Sequence, residues 1–164
     1  MTPDWRLVGL HGAALSVAAS VVIMGALRYN PRLFLRHFPA AVRASQPPLT
    51  PHEQTVGRVV GVLLMLVFVG GPVLSAGIAS AQHEMTRLDV GLHAFLVGMI
   101  GNAVDWLVLD ELWIGVGQPR WALPPGVAAE DVPFSHWQHF RGFLVGTVIF
   151  LLVALLATVA VPAS

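Results

Sequence analysis

Two acidic residues and two histidines flank the connection between the third and fourth apolar stretches of the chain, and they are the first group that could do chemistry. The acidic pair is Asp110 and Glu111; the histidines are His136 and His139. Side chains three residues apart lie on one face of a helix. We therefore predict catalytic acid–base roles for these four residues, with His136 and His139 as candidate ligands of a divalent metal ion.

Asp105 is a second candidate because it lies, with Asn102, inside an otherwise apolar stretch. A carboxylate in a membrane span costs roughly 2.5–3.5 kcal/mol on insertion scales, so it usually faces the bundle interior and has a partner or a task. One interpretation is a structural ion pair with Arg58 or Arg141. The other makes Asp105 a catalytic proton carrier or cation ligand, with Asn102, Arg58 and Arg141 as substrate- or ion-binding residues.

His11 and His93 lie in the first and third apolar stretches, where facing imidazoles could hold haem as axial ligands. We do not favour haem. Membrane cytochromes carry several histidines on adjacent helices, and this chain has only part of that pattern. Core histidines with hydrogen-bonded side chains are the alternative interpretation. The chain has no Cys, which excludes disulfides and thiolate chemistry.

The composition predicts the kind of protein that must position these residues. Of the 164 residues, 55% are hydrophobic and only 11% are charged, which is too apolar for an ordinary soluble domain. No dense run of basic residues suggests a nucleic-acid partner. We predict a single all-α membrane domain over 1–164, a four-transmembrane-helix bundle whose first partner is the lipid bilayer.

Four apolar runs have the length needed to cross the hydrocarbon core. The predicted spans are about 7–27, 59–80, 90–109 and 142–161. Each must be helical, because lipid cannot bond to free backbone groups.

Local motifs predict where some of these helices begin and bend. Thr50-Pro-His-Glu53 and Ser135-His-Trp-Gln138 both match the capping box that starts a helix. Gly70-Gly71-Pro72 lies inside the second span, where Pro removes a backbone bond, and so predicts a bend there.

Small residues predict the packing surfaces of the bundle. Gly91, Ala94 and Gly98 share a face of the third span with Asn102 and Asp105. Two further pairs with the same spacing, Gly57 with Gly61 and Gly142 with Gly146, are candidates for contacts within the bundle or in a homodimer or larger assembly.

The distribution of Arg predicts a multi-pass protein of the cell membrane with both termini outward. The loops 28–58 and 110–141 hold most Arg residues and should face inward. Within the first loop, 30–39 mixes apolar residues with Arg and predicts a short interfacial amphipathic helix. The long inner loop 113–134 is rich in Pro and Gly and could cover a site.

Three function classes remain open from the sequence. The one we favour is a membrane-embedded enzyme that acts on a lipophilic substrate at the inner interface through the His/Asp/Glu site. A transporter or channel component that uses Asp105 is the first alternative, and a non-catalytic accessory subunit is the second.

Overall fold

The computed structural model of the chain describes residues 4–133 and 135–163, which form helices and connecting segments without a strand. Four helical stretches are long and apolar enough to span a membrane: Trp5–Tyr29, Pro51–Gln82, Arg87–Val116 and His136–Ala160. Each contains most or all of one predicted span, so the prediction of four long apolar helices is confirmed. The chain ends 1–3 and 164, and Phe134 at the end of the predicted loop 113–134, lie outside the described residues.

Six α-helices make up most of the described chain: five belong to the four long stretches, and the short second one lies in the connection between the first two stretches. The α-helices are α1 (Trp5–Tyr29), α2 (Ala40–Ser45), α3 (Pro51–Met65), α4 (Gly71–Gln82), α5 (Arg87–Val104) and α6 (His136–Ala160). A π-helical turn, Leu66–Gly70, joins α3 to α4, and a π-helical segment, Asp105–Val116, extends α5. Short 3-10 helices lie at Pro31–His37, Arg120–Ala122 and Ala129–Asp131.

The bundle has two distinct ends. At the terminal end, where α1 and α5 begin and α4 and α6 finish, Asp4 forms a 3.8 Å ion pair with His83. At the loop end, the two long connections meet, since the Gln46 side chain donates to the carbonyl of Pro125 over 3.1 Å. Asp110, Glu111, His136 and His139 flank the second of these connections, so they lie at the loop end.

Helix α5 is the centre of the bundle and packs against α1, α4 and α6. Its small residues allow the close approach: a side chain at Gly98 would overlap the ring of Phe150, and a Cβ on Gly91 would lie 2.7 Å from Thr158. Gly91, Gly98 and Asn102 are all buried. The predicted packing face of the third span is therefore confirmed as the contact with α6.

The capping prediction is confirmed in full for α3 and in half for α6. Thr50 accepts from the Glu53 backbone N–H while Glu53 accepts from the Thr50 backbone N–H, which is a complete capping box. Ser135 accepts from the Gln138 backbone N–H at 3.3 Å. The Gln138 side chain does not complete the box. It donates instead to the carbonyl of His37, at the end of the 3-10 helix Pro31–His37, over 3.3 Å.

The predicted helix at 30–39 takes the form of the 3-10 helix Pro31–His37, which Asn30 caps through its side chain. The same Asn30 side chain donates to Glu53 at 2.9 Å, and the Arg32 guanidinium lies 3.3 Å from the same carboxylate. Glu53 thus joins the start of α3 to the end of α1. The side chains of Arg32 and Glu53 are mostly buried, so this ion pair anchors the connection.

Where Gly70-Gly71-Pro72 predicts a bend, the structure has a π-helical turn, Leu66–Gly70, directly before Gly71; the bend itself stays a prediction. The Gly71 N–H is shared between the carbonyls of Leu66, five residues back as in a π-helix, and Val67, four residues back. The α-helical pattern then resumes, and Pro72 itself is buried.

The helix that contains the third predicted span does not end with that span at 109 but continues to Val116. The hydropathy signal stops at the charged pair Asp110 and Glu111, but backbone bonding continues through Asp105–Val116. The loop predicted to start at 113 accordingly starts at Gly117, whose N–H donates to Leu112 over 3.1 Å.

The outside of the bundle is strongly apolar. Helix α6 exposes large apolar side chains along most of its length, namely Leu144, Val145, Val148, Ile149, Leu151, Leu152, Leu155, Leu156 and Val159. Gly61 on α3 has no atom within 4 Å of an added Cβ, so within the described chain it makes no helix contact. A continuous apolar exterior of this kind is typical of a surface that is not in water.

Candidate functional site

The acidic residues at the loop end lie on the π-helical segment Asp105–Val116. In a π-helix each N–H bonds to the carbonyl five residues back. Asp105 and Asp110 are five apart, so successive turns of this segment place them near one another on the same side. Single π-turns inside α-helices are frequent at functional sites, and a π segment of 12 residues is unusual.

Glu111 and His136 form the first carboxylate–imidazole pair of the loop end. The imidazole Nδ1–H donates to Glu111 Oε2 at 2.5 Å. The Glu111 side chain is 19% exposed and the His136 side chain 80% exposed. Trp106 donates its indole N–H to the other Glu111 oxygen at 3.3 Å, so the carboxylate is held from two sides while the imidazole faces outward.

Asp110 and His139 form the second pair. His139 Nδ1 lies 3.6 Å from Asp110 Oδ2, and the His139 side chain is only 18% exposed. His136 and His139 start the same helix, so this pair lies one turn deeper than the first. The structure thus joins the four predicted residues as two neighbouring pairs, which we call the loop-end site: Asp110, Glu111, His136 and His139.

Aromatic rings form one wall of the loop-end site. The ring of Trp106 packs against Phe143 at a centroid distance of 4.8 Å and against Phe140 at 5.4 Å. The ring of Trp137 lies 6.0 Å from that of Phe140, which adds a further aromatic group at this end. Their faces and edges give the charged pairs an apolar boundary that can contact hydrocarbon.

The connecting segments cover part of the loop end. Arg36 donates its Nε–H to the His37 imidazole at 2.9 Å, and burial together with the adjacent Arg36 charge lowers the pKa of His37 below its ordinary value. A neutral His37 can accept from Arg36, which a protonated ring could not. The 3-10 helix is therefore held in place directly beside the start of α6, where Gln138 bonds to the His37 carbonyl.

Asp105 lies deeper along the same segment and is not joined to either predicted Arg partner. Among the described residues its carboxylate makes no hydrogen bond or ion pair, and the charges of Asp110 and His139 act on it. Arg58 donates to the carbonyl of Gln54, one turn back on its own helix, at 3.3 Å. The structure therefore does not form the Asp105–Arg ion pair that was one of the two interpretations of the sequence. The side chain of Arg58 turns along α3 instead, and among the described residues Arg141 forms no ion pair with Asp105.

Asn102 holds α5 against α6. Its amide donates to the carbonyl of Phe143 at 3.0 Å and to the Thr147 hydroxyl at 3.4 Å. A Cβ on Gly146 would overlap the Asn102 side chain, so only glycine fits there. Asn102 thus has a clear structural contact one turn above Asp105; its predicted role in binding a substrate or an ion stays a prediction.

In the part of the chain that the structure describes, no three His, Asp or Glu side chains are arranged to hold a metal ion. His136 and His139 each face a different carboxylate. A divalent ion bound by this histidine pair stays a prediction.

The other two predicted histidines meet in the interior near the terminal end. Ser75 lies between them: its Oγ is 2.7 Å from His11 Nδ1 and 2.9 Å from His93 Nε2. The ring centroids are 5.6 Å apart with an interplanar angle of 78°. One nitrogen of each ring, His11 Nδ1 and His93 Nε2, faces this hydroxyl, an arrangement that agrees with the interpretation of hydrogen-bonded core histidines.

An apolar groove of about 320 Å³ lies between α1 and α3 on another side of the bundle. Val22, Gly25 and Val60 are among its lining residues, and Tyr29 lies at the loop end of it. None of the residues of the loop-end site lines this groove, so the site is reached from elsewhere.

Sequence reasoning missed Trp106 and Ser75 as members of these polar clusters. An indole within an apolar run and a serine within a run of small residues are ordinary in helices, and only their positions beside Glu111 and the two histidines distinguish them. In comparisons with protein-family models, curated proteins and solved structures, the chain matches none of them.

Proposed function

We propose that the chain is a multi-pass protein of the cell membrane whose loop end faces inward and carries an acid–base site for a lipophilic substrate. The apolar exterior of the four long helices supports insertion, because such a surface would aggregate in water. The concentration of Arg in the two loop-end connections supports the orientation, with both termini outward.

The observation that carries the acid–base proposal is the Glu111–His136 pair. A carboxylate that accepts from one imidazole nitrogen fixes the tautomer, leaves the opposite nitrogen basic, and stabilises the imidazolium that forms when this nitrogen takes a proton. Here the bond is to Nδ1, so Nε2 of the exposed His136 ring is the basic atom. The tautomer follows from the partner, since only an N–H can donate to a carboxylate.

The surrounding groups fit a substrate that is partly hydrocarbon. Trp106 and Phe143 offer aromatic surface beside Glu111, and the apolar exterior of α6 begins at Leu144, about two turns above His136. His136 would remove a proton from the substrate or from an attacking water. The deeper Asp110–His139 pair would supply a second proton-transfer group, and the 3-10 helix at Pro31–His37 would limit access of bulk water.

The test is conversion of lipophilic substrates by the full chain in lipid nanodiscs. The panel contains fatty-acyl esters, phospholipids and isoprenoid compounds, and the comparison is with the His136→Gln variant. We expect the wild-type protein to convert one class and His136→Gln to lose that conversion. His83→Gln, which changes an exposed histidine at the terminal end, is the matched control and should keep it. Equal conversion by wild type and His136→Gln, or none by either, would contradict the proposal.

A second function is favoured by one observation, the deep position of Asp105 without a cation partner among the described residues. Carboxylates in this situation occur in proton and ion pathways. Asp105, Asp110 and His139 follow one another from the interior toward the exposed His136. This series of ionisable groups could carry protons, and because four helices enclose little space, a transport pathway would require a homodimer or a larger assembly.

Asp105→Asn distinguishes this second function. In proteoliposomes with an imposed pH gradient, we expect Asp105→Asn to abolish any protein-dependent proton flux, because the amide cannot exchange a proton. Asp131→Asn, in the exposed 3-10 helix Ala129–Asp131, is the control and should leave the flux unchanged. Flux that persists in Asp105→Asn would remove this carboxylate from the pathway.

A further inference from the structure

The second polar cluster of the bundle, His11–Ser75–His93, connects three helices at a distance from the loop-end site. His11 is on α1, Ser75 on α4 and His93 on α5, and both Ser75 and His93 are buried. His11 and His93 each follow the first residue of their helix by six positions, a depth of about 9 Å at the helical rise. The cluster therefore lies well below the terminal end.

Its surroundings are apolar and small. Val8, Val90, Val97 and Ala94 are each almost fully buried on the helices that carry the two histidines. Two imidazoles and a hydroxyl in such a setting can be accommodated only if their hydrogen bonds are made to one another. The three side chains satisfy this condition as one unit.

Counting hydrogens shows that the cluster has two neutral arrangements. The Ser75 hydroxyl has one proton and can donate to only one imidazole, so the other imidazole must donate its N–H to the Ser75 oxygen. In the first arrangement His11 Nδ1 donates and His93 Nε2 accepts; in the second these roles are exchanged. Each arrangement leaves one imidazole with an unprotonated nitrogen on its opposite side.

We propose that His11, Ser75 and His93 form a proton-binding site in which one added proton is shared between the two imidazoles through the serine hydroxyl. In the first arrangement a proton binds His11 Nε2. The His11 Nδ1 proton then moves to Ser75 Oγ, and the original hydroxyl proton moves to His93 Nε2. One N–H and one O–H bond break and one of each forms, so the positive charge passes from α1 to α5 while Ser75 stays neutral.

Few charged groups act on the cluster. Asp4 at the start of α1 is the ionisable group that acts on His93 besides His11, and His83 follows the end of α4 beside Asp4. On α6 the residues packed against this part of α5, including Ala154 and Thr158, carry no charge. Two imidazolium rings 5.6 Å apart in this apolar setting would repel strongly, so the second proton is excluded.

The test is an NMR titration of the imidazole nitrogens in the full chain, with ¹⁵N-labelled histidine, in lipid nanodiscs. From about pH 4 to pH 9, which brackets imidazole titration, we expect the His11 and His93 signals to move together with one midpoint. The total uptake should be one proton for the two rings, as in a coupled pair. Two rings that stay neutral in fixed tautomers, or that titrate independently and take up two protons, would overturn the proposal.

Two variants separate proton sharing from mere contact. Ser75→Ala removes the bridging hydroxyl, and the two rings should then titrate with separate midpoints. Ser80→Ala is the matched control on the same helix, because Ser80 donates to its own-helix Gly77 carbonyl at 3.2 Å, and the single midpoint should remain. A single shared midpoint in Ser75→Ala would overturn the role of the hydroxyl; the wild-type titration decides the proposal if this variant does not fold.

Discussion

Gly98→Leu is expected to break the contact between α5 and α6 and to lower the free energy of unfolding by about 3 kcal/mol, the upper part of the range for overpacked interiors. The reason is geometric, since even a Cβ at Gly98 would overlap the ring of Phe150. That ring is 3% exposed and packs against Phe68 at 6.1 Å, so it has no open space to move into. The measurement is reversible unfolding in mixed micelles with increasing denaturing detergent.

Gly61→Leu is the matched control, because no atom lies within 4 Å of an added Cβ at Gly61. Its effect should stay within about 0.5 kcal/mol, as for surface substitutions. In the double variant Gly98→Leu with Phe150→Ala, the smaller residue makes room for the larger, and the sum of the two single effects should exceed the double effect. A Gly98→Leu variant as stable as Gly61→Leu would contradict the described helix contact.

Glu111→Gln is expected to lower turnover of the substrate found for the loop-end site by about 10²- to 10⁴-fold, the usual contribution of a positioned acid or base. Glutamine keeps the size of the side chain but removes the charge that stabilises a protonated His136. Substrate binding should change little, because the substitution slows proton transfer and leaves the aromatic surface that contacts the substrate unchanged. Separate measurement of kcat and KM in nanodiscs checks this division.

Glu130→Gln supplies the control for the glutamate substitution, since Glu130 is exposed in the connection between Val116 and His136. Its turnover should equal that of the wild type. If Glu111→Gln raised KM alone and left kcat unchanged, Glu111 would act in binding, and the acid–base assignment of the Glu111–His136 pair would be wrong.

Much of the fold could be predicted because its signals are local. Apolar length marks each long helix, and Thr50 with Glu53 marks the start of α3 through groups within one turn. The end of the third helix was not predictable in this way. Hydropathy falls at Asp110, whereas backbone bonding continues to Val116 in the wider π pattern.

The loop-end site was predictable as a group and not as pairs. Helix order alone brings the end of the third span to the start of the fourth, and so Asp110 and Glu111 had to lie near His136 and His139. Which carboxylate faces which imidazole depends on helix rotation, and the π-helical segment changes that rotation by bonding five residues back. Arg58 shows the same limit, because a long side chain can turn along its own helix as easily as toward a neighbour.

The chain itself determined that four apolar helices form and that the ionisable residues concentrate at their ends, because hydropathy and caps act through neighbours in sequence. Only the tertiary structure decided that Ser75 joins His11 to His93 and that Glu111 joins Trp106 to His136. The physical reason is that hydrogen bonds between helices require positions within about 3 Å. Such positions depend on how each helix is rotated and on close packing at glycines such as Gly98. The spacing of apolar residues along the sequence does not specify either of them.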